Sequence, residues 1–232
     1  MGDIGFPTTH ATWIDHAIAH ERLDELRNYF LTSYTEPLVV LLRSHASSLA
    51  PDAEEIVHAF LVRTFGDTPQ SVGEFAQRAR ASGMSMRRYV ANALLFYTRG
   101  VMRDRARNSA RMASPSIEHI ADVSVTAEIA FERAWAQSIV QDACGRVEST
   151  LLASTRGRTN IAWEVFRRHV IDGRRYGDLV EEFGLNPQQM ADLVRDVARR
   201  LRFEIEQTLA LEGVPGPEVA SEVERLMELL CA

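Results

Sequence analysis

Tyr176-Gly-Asp-Leu-Val-Glu-Glu-Phe-Gly184-Leu-Asn-Pro-Gln-Gln-Met-Ala-Asp-Leu-Val-Arg-Asp-Val-Ala-Arg-Arg-Leu-Arg-Phe203 is the stretch from which the fold can be worked out. Leu179, Val180 and Phe183 recur at helical spacing and predict a short amphipathic helix over Tyr176–Phe183. Gly184 follows directly, at the position where a left-handed residue ends a helix without a Cβ penalty. Leu185 can plug the corner, Asn186 stands where an N-cap belongs, and Pro187 stands at the first helical position. Met190, Leu193, Val194, Val197 and Leu201 then carry one apolar face through a second helix, Pro187–Leu211. Helix, tight turn, helix is the layout of the DNA-binding helix-turn-helix, whose second helix enters the major groove. The first turn of that helix offers Gln188, Gln189 and Asp192 to base edges, and Gln can bond adenine N6 and N7 together. Arg174, Arg175, Arg195 and Arg199 are placed for phosphates. A plain helical hairpin in a core is the alternative. From Pro187 to Phe203 there are four Arg against two Asp, a net of +2, which is little for DNA affinity.

The helical period extends outward over nearly the whole chain, so the fold class read from it is all-α. Helices are predicted over residues 12–32, 38–47, 51–65, 72–81, 84–112, 126–147, 160–170 and 217–230. Pro37 is read as a break, or as the first turn of the helix after it. Residues 107–125 have few large apolar groups and contain Pro115, which makes them the linker. The expected organisation is an N-terminal helical extension over 1–28, a first domain over 29–107, a linker over 108–125, a second domain over 126–211 and an acidic helix over 212–232. Two domains of roughly 100 residues each suit a chain of this length.

Several function classes find no support. The longest apolar run is Leu38–Leu42, far below the roughly 18 residues of a membrane span. Met1–His10 lacks the pattern of a secretory signal. Cys144 and Cys231 are read as free thiols of a reducing compartment. His16 and His20 lie one helical turn apart, but no HExxH or CxxC accompanies them, so no metal site is expected. No GxSxG, GxxxxGK[ST] or GxGxxG occurs. The adjacent pairs Glu54–Glu55 and Glu181–Glu182 point about 100° apart on a helix and do not converge on one atom. Neither a catalytic residue nor a cofactor is expected, and the chain is not read as an enzyme.

All 26 basic residues are Arg, and with 32 acidic residues the net charge is −6. The average hides a strong segregation. Between Arg78 and Arg111 nine Arg stand against one Asp, a local net of +8, with Asn92, Phe96 and Tyr97 among them. Arg interleaved with aromatics suits a surface that tracks a backbone and stacks unpaired bases. Residues 204–232 carry seven Glu and one Arg, a local net of −6. Such a tail could fold onto the basic segment and cover it.

The two halves together resemble bacterial RNA polymerase sigma factors of the extracytoplasmic-function type. Asp52-Ala-Glu-Glu-Ile-Val-His-Ala-Phe-Leu-Val-Arg-Thr-Phe65 is similar to that family's polymerase-binding segment, and Tyr34-Thr-Glu-Pro-Leu38 with Leu41-Leu42-Arg43 to the start of its region two. Arg88 through Arg107 resembles the part that melts and reads the −10 element. Trp163-Glu-Val-Phe166, Asp172-Gly173 and Tyr176–Leu201 resemble region four, which reads the −35 element. The likeness covers about residues 29–107 and 130–210. His58-Ala59 and Tyr89 depart from the usual Gln-Glu and Trp, and Gly177-Asp178 depart within the helix-turn-helix.

The resemblance implies a function in promoter recognition and transcription initiation, with core RNA polymerase and promoter DNA as partners. It leaves room for an anti-sigma partner. It also implies a monomer when free, in the nucleoid-associated cytoplasm and not at a membrane. By the same resemblance Asp52, Glu54, Glu55, His58 and Leu61 would meet polymerase. Arg88, Asn92, Phe96, Arg99, Arg103 and Arg107 would meet the −10 side, and Arg174, Arg175, Asn186, Gln188, Gln189, Arg195 and Arg199 the −35 side. The alternatives are an autonomous helix-turn-helix regulator and a sigma-like interaction protein that does not initiate transcription.

Overall fold

The computed structural model describes residues 23–66, 69–110, 125–153, 159–212 and 214–231. The expected helix before residue 23, His16 and His20, and linker residues 111–124 lie outside them. The fold is all-α, with no strand among the described residues. Among the described residues nine α-helices follow in order: α1 Leu23–His45, α2 Ala53–Phe65, α3 Pro69–Ala81, α4 Met86–Ala110, α5 Val125–Leu152, α6 Thr159–Phe166, α7 Tyr176–Phe183, α8 Pro187–Leu211 and α9 Val219–Cys231. A π-helical segment, Arg167–Ile171, prolongs α6, and short 3₁₀ turns precede α2 and α9. Among the described residues no helix is long and apolar enough to cross a membrane.

The chain forms two compact units, Met1–Ser138 with Leu209–Ala232, and Ile139–Thr208. This partition differs from the expected one. The divisions fall inside α5 and α8, and the acidic tail belongs to the first unit instead of standing alone. The reason is burial: Ala127, Phe131 and Trp135 of α5, Glu212 after α8, and Leu226 of α9 are all buried.

In the first unit an aromatic chain links α1 to α4. Phe30 stacks on Phe65 at 5.0 Å, Phe75 meets Phe65 edge-on at 5.1 Å, and Tyr89 meets Phe75 at 5.0 Å. Such contacts add about 0.5–1.5 kcal/mol each beyond area burial. The expected break at Pro37 does not occur, and α1 runs through it. Proline removes the donor that would reach the carbonyl four residues back, Ser33. That carbonyl accepts instead from the Ser138 hydroxyl at 3.0 Å, so the helix continues without an orphaned acceptor.

Arg87 joins three helices of this unit. Its guanidinium pairs with Glu132 of α5 at 3.1 Å and Glu222 of α9 at 2.7 Å, and lies over the Trp135 ring at 4.6 Å. The side chain is only 9% exposed. A short distance along the chain from α8, Glu212 is 5% exposed and accepts from the hydroxyls of Tyr29 and Tyr34. Burial holds the Glu212 carboxyl above its ordinary pKa, opposed by the two tyrosines and by Arg87. Arg133 donates to the Leu229 carbonyl at 3.1 Å. The tail is thus seated by ion pairs and hydrogen bonds as much as by Leu226.

In the second unit Val147, Leu151, Ala162, Trp163, Phe166 and Val197 form one core cluster, and Val165, Leu179, Leu185 and Met190 another. Arg146 of α5 ties down α8 through Glu204 and the Thr208 hydroxyl, both at 2.8 Å.

Arg87→Ala should destabilise the protein by about 3–5 kcal/mol, because it leaves buried carboxylates without their cation. Arg99→Ala, on the exposed side of the same helix, should stay within about 0.5 kcal/mol. Urea unfolding followed by tryptophan fluorescence measures both.

Candidate nucleic-acid interface

Helix α4 sorts its residues by angle. At about 100° per residue, Arg88, Asn92, Phe96, Arg99, Arg103 and Arg107 fall within an arc of about 100°. All six are exposed. Val90, Leu94, Leu95 and Thr98 face the core. Arg87 and Arg105 lie together about 100° outside the arc, in line with Leu94 and Thr98, and both are paired, Arg105 with Asp52 at 2.8 Å. On the arc itself, Arg88, Arg99 and Arg103 have no carboxylate partner among the described residues, and Arg107 has only Asp104 at 3.7 Å. Phe96 is 69% exposed between them. Tyr97 is half-buried against Phe60 at 5.8 Å, so it serves the core and Phe96 alone is free to stack. The tail's Glu222 reaches Arg87, on the inward side of the helix, and leaves the residues of the arc exposed.

The expected polymerase-facing set on α2 is only partly brought together. Glu54, Glu55 and His58 are exposed, with Val62 beside them. Glu54 pairs with Arg43 at 2.7 Å, and Asp52 is held by Arg105. Leu61 is a correction. It is 2% exposed and packs in the core with Ile56 and Phe60, because it falls on the inward side of the helical period.

The helix-turn-helix folds where the sequence places it. Gly184 is left-handed, at φ 61°, and its N–H reaches the Val180 carbonyl at 2.9 Å. Leu185 is buried at the corner. The Asn186 side chain accepts from the Gln189 N–H at 2.9 Å, and the Gln189 side chain accepts from the Asn186 N–H at 3.1 Å. This reciprocal capping box satisfies two donors at the start of α8. It also commits Asn186 and Gln189 to the backbone, which sequence reasoning missed. The signal was available, since a capping residue followed three positions later by Gln is the pattern of such a box.

Pairing continues along α8. Gln188 donates to Asp192 at 3.2 Å, Arg195 pairs with Asp192 at 2.9 Å, and Arg199 pairs with Asp196. Arg174 pairs with Glu182 at 2.9 Å, while Arg175 is exposed without a carboxylate partner among the described residues. These are surface pairs of low cost to break.

No family model, curated protein or solved structure matches the chain. The assignment of these surfaces therefore rests on their own chemistry.

Below the helix-turn-helix, Arg167 and Arg168 hydrogen-bond Glu164 and hold its carboxyl down to about 2 from an ordinary 4.5. A depressed acid pKa contributes stability that is complete above about pH 4.5 and is lost as pH falls towards 2. Glu164→Gln should flatten that acid limb in pH-dependent thermal melts. Gln189→Ala should cost about 1 kcal/mol by opening the capping box, measured by the same melts at neutral pH.

Proposed function

We propose that this chain binds core RNA polymerase and directs it to promoters, in the manner of an extracytoplasmic-function sigma factor. The observation that carries the proposal is the α4 arc: unpartnered arginines flanking one exposed phenylalanine, on a helix whose other cations are all engaged. Free guanidiniums supply phosphate contacts, and the ring supplies a stacking platform for an unpaired base. That is the surface an initiation factor needs where the −10 element opens. The helix-turn-helix of the second unit supports the −35 role, with Arg174, Arg175, Arg195 and Arg199 as phosphate contacts and Gln188 as the base-reading residue. The exposed acids of α2 support the polymerase contact. Bond chemistry stays with the polymerase.

A second reading is favoured by the pairing on α8. With Arg195 and Arg199 bound to aspartates of their own helix and Gln189 capping it, a sigma-like protein could engage polymerase without reading a −35 element.

Run-off transcription with purified core polymerase on a genomic promoter library separates these. The sigma reading expects specific transcripts, and Phe96→Ala should reduce open-complex formation roughly fivefold or more, from the 1–3 kcal/mol of one lost stack. Co-purification with polymerase and no transcript would favour the second reading. Tight binding of a palindromic site by the protein alone would instead favour an autonomous regulator.

A further inference from the structure

A cleft of about 430 Å³ in the first unit lies beside the start of the α4 arc. Its lining includes Arg88 and Asn92 from the arc, Ser85 before it, Glu128 and Glu132 from α5, and Arg225 from α9. Leu41, Ala91 and Phe131 make an apolar floor. The tail therefore brings a cation, Arg225, to the edge of the basic face as well as Glu222, which Arg87 holds.

Arg225 is the single basic residue among seven Glu in residues 204–232, and it is 54% exposed. Its carboxylate neighbours, Glu132 and Glu222, stand at 3.7 Å, beyond hydrogen-bond range. Both are already held more closely by Arg87, at 3.1 and 2.7 Å. The Arg225 donors thus make only long ion pairs and can turn to an anion, and Arg88 has no carboxylate partner among the described residues. Arg87, Arg88 and Arg225 stand against Glu128 and Glu132 on the lining and Glu222 beside it, and because Arg87 is held by Glu132 and Glu222, the cations left open to an anion are Arg88 and Arg225. One phosphodiester can accept from both guanidiniums, whereas a pyrophosphate brings further negative charge against Glu128.

We infer that this cleft binds a single backbone phosphate of single-stranded nucleic acid between Arg88 and Arg225, so that the C-terminal helix extends the α4 interface instead of competing with it. Asn92 and Ser85 add neutral donors, and the apolar floor receives the sugar or base edge. The inference rests on the proposed nucleic-acid role of α4 and names a residue outside the part of the chain that resembles the sigma family.

The test is fluorescence anisotropy of the full chain with a labelled mixed-sequence single-stranded oligodeoxynucleotide over a series of salt concentrations. Arg225→Ala should weaken binding about fivefold and reduce the salt slope by about 0.7. Its thermal midpoint should move little beside the loss of affinity, since the Arg225 ion pairs are long and its side chain is half-exposed. Arg88→Ala with Arg225→Ala should be non-additive, because the two share one phosphate, and Arg103→Ala with Arg225→Ala should be additive. Unlabelled oligonucleotide should compete, and pyrophosphate at equal phosphate concentration should not. Unchanged affinity in Arg225→Ala, with a wild-type chain that binds, overturns this inference alone. Competition by pyrophosphate overturns the single-phosphate assignment. Tighter binding by Glu224→Gln with Glu228→Gln, and none of the Arg225 effects, would make the tail a mask. No binding by the wild-type chain removes the α4 role together with it.

Discussion

The buried guanidinium of Arg87 is the constraint on which the first unit depends. A charge removed from water costs several kcal/mol unless its partners are fixed in place. Here the partners come from α5 and α9, with the Trp135 face beneath. Each helix is therefore positioned by the need of one cation, and the exposed arginines of α4 face outward because Arg87 faces inward. Glu212 repeats the logic with opposite sign, a buried carboxylate held by two tyrosine hydroxyls.

This arrangement explains how a chain of net negative charge presents a basic surface. Charges are sorted by local pairing. On α8 the aspartates at 192 and 196 sit one turn before arginines and occupy them. On α4 only Asp104 is available, and the arginines of the outer arc stay open. Two helices with similar arginine content are thus in different states: one is ready for an anion, and the other must first exchange weak surface pairs for it.

Much of this was legible in the sequence where the signal is local. Gly184, Asn186 and Pro187 mark the boundaries of α7 and α8 because caps and turns are decided by neighbouring residues. The six residues that the resemblance named on α4 share one face because the helical period is likewise local. What was not legible depends on distant partners. Pro37 reads as a break, and its helix continues because a hydroxyl 105 residues further along serves the freed carbonyl. The acidic tail suggests a cover for the arginines by its net charge, yet position, not net charge, selects Arg87 as its contact and aims Arg225 at the cleft.

The first unit is closed by residues from both ends of the described chain: Tyr29 and Glu212 are 183 positions apart. Synthesis runs from the N-terminus at about 5–20 residues per second. For roughly 10–40 seconds after Tyr29 and Tyr34 are made, their carboxylate partner does not exist, and the same holds for Arg87 and Glu222 over a wait about a quarter shorter. The helix bearing the open arginines is therefore complete on the ribosome before its anchor is. The nascent first unit must wait, partly assembled and with one strongly cationic helix, until the last two dozen residues emerge.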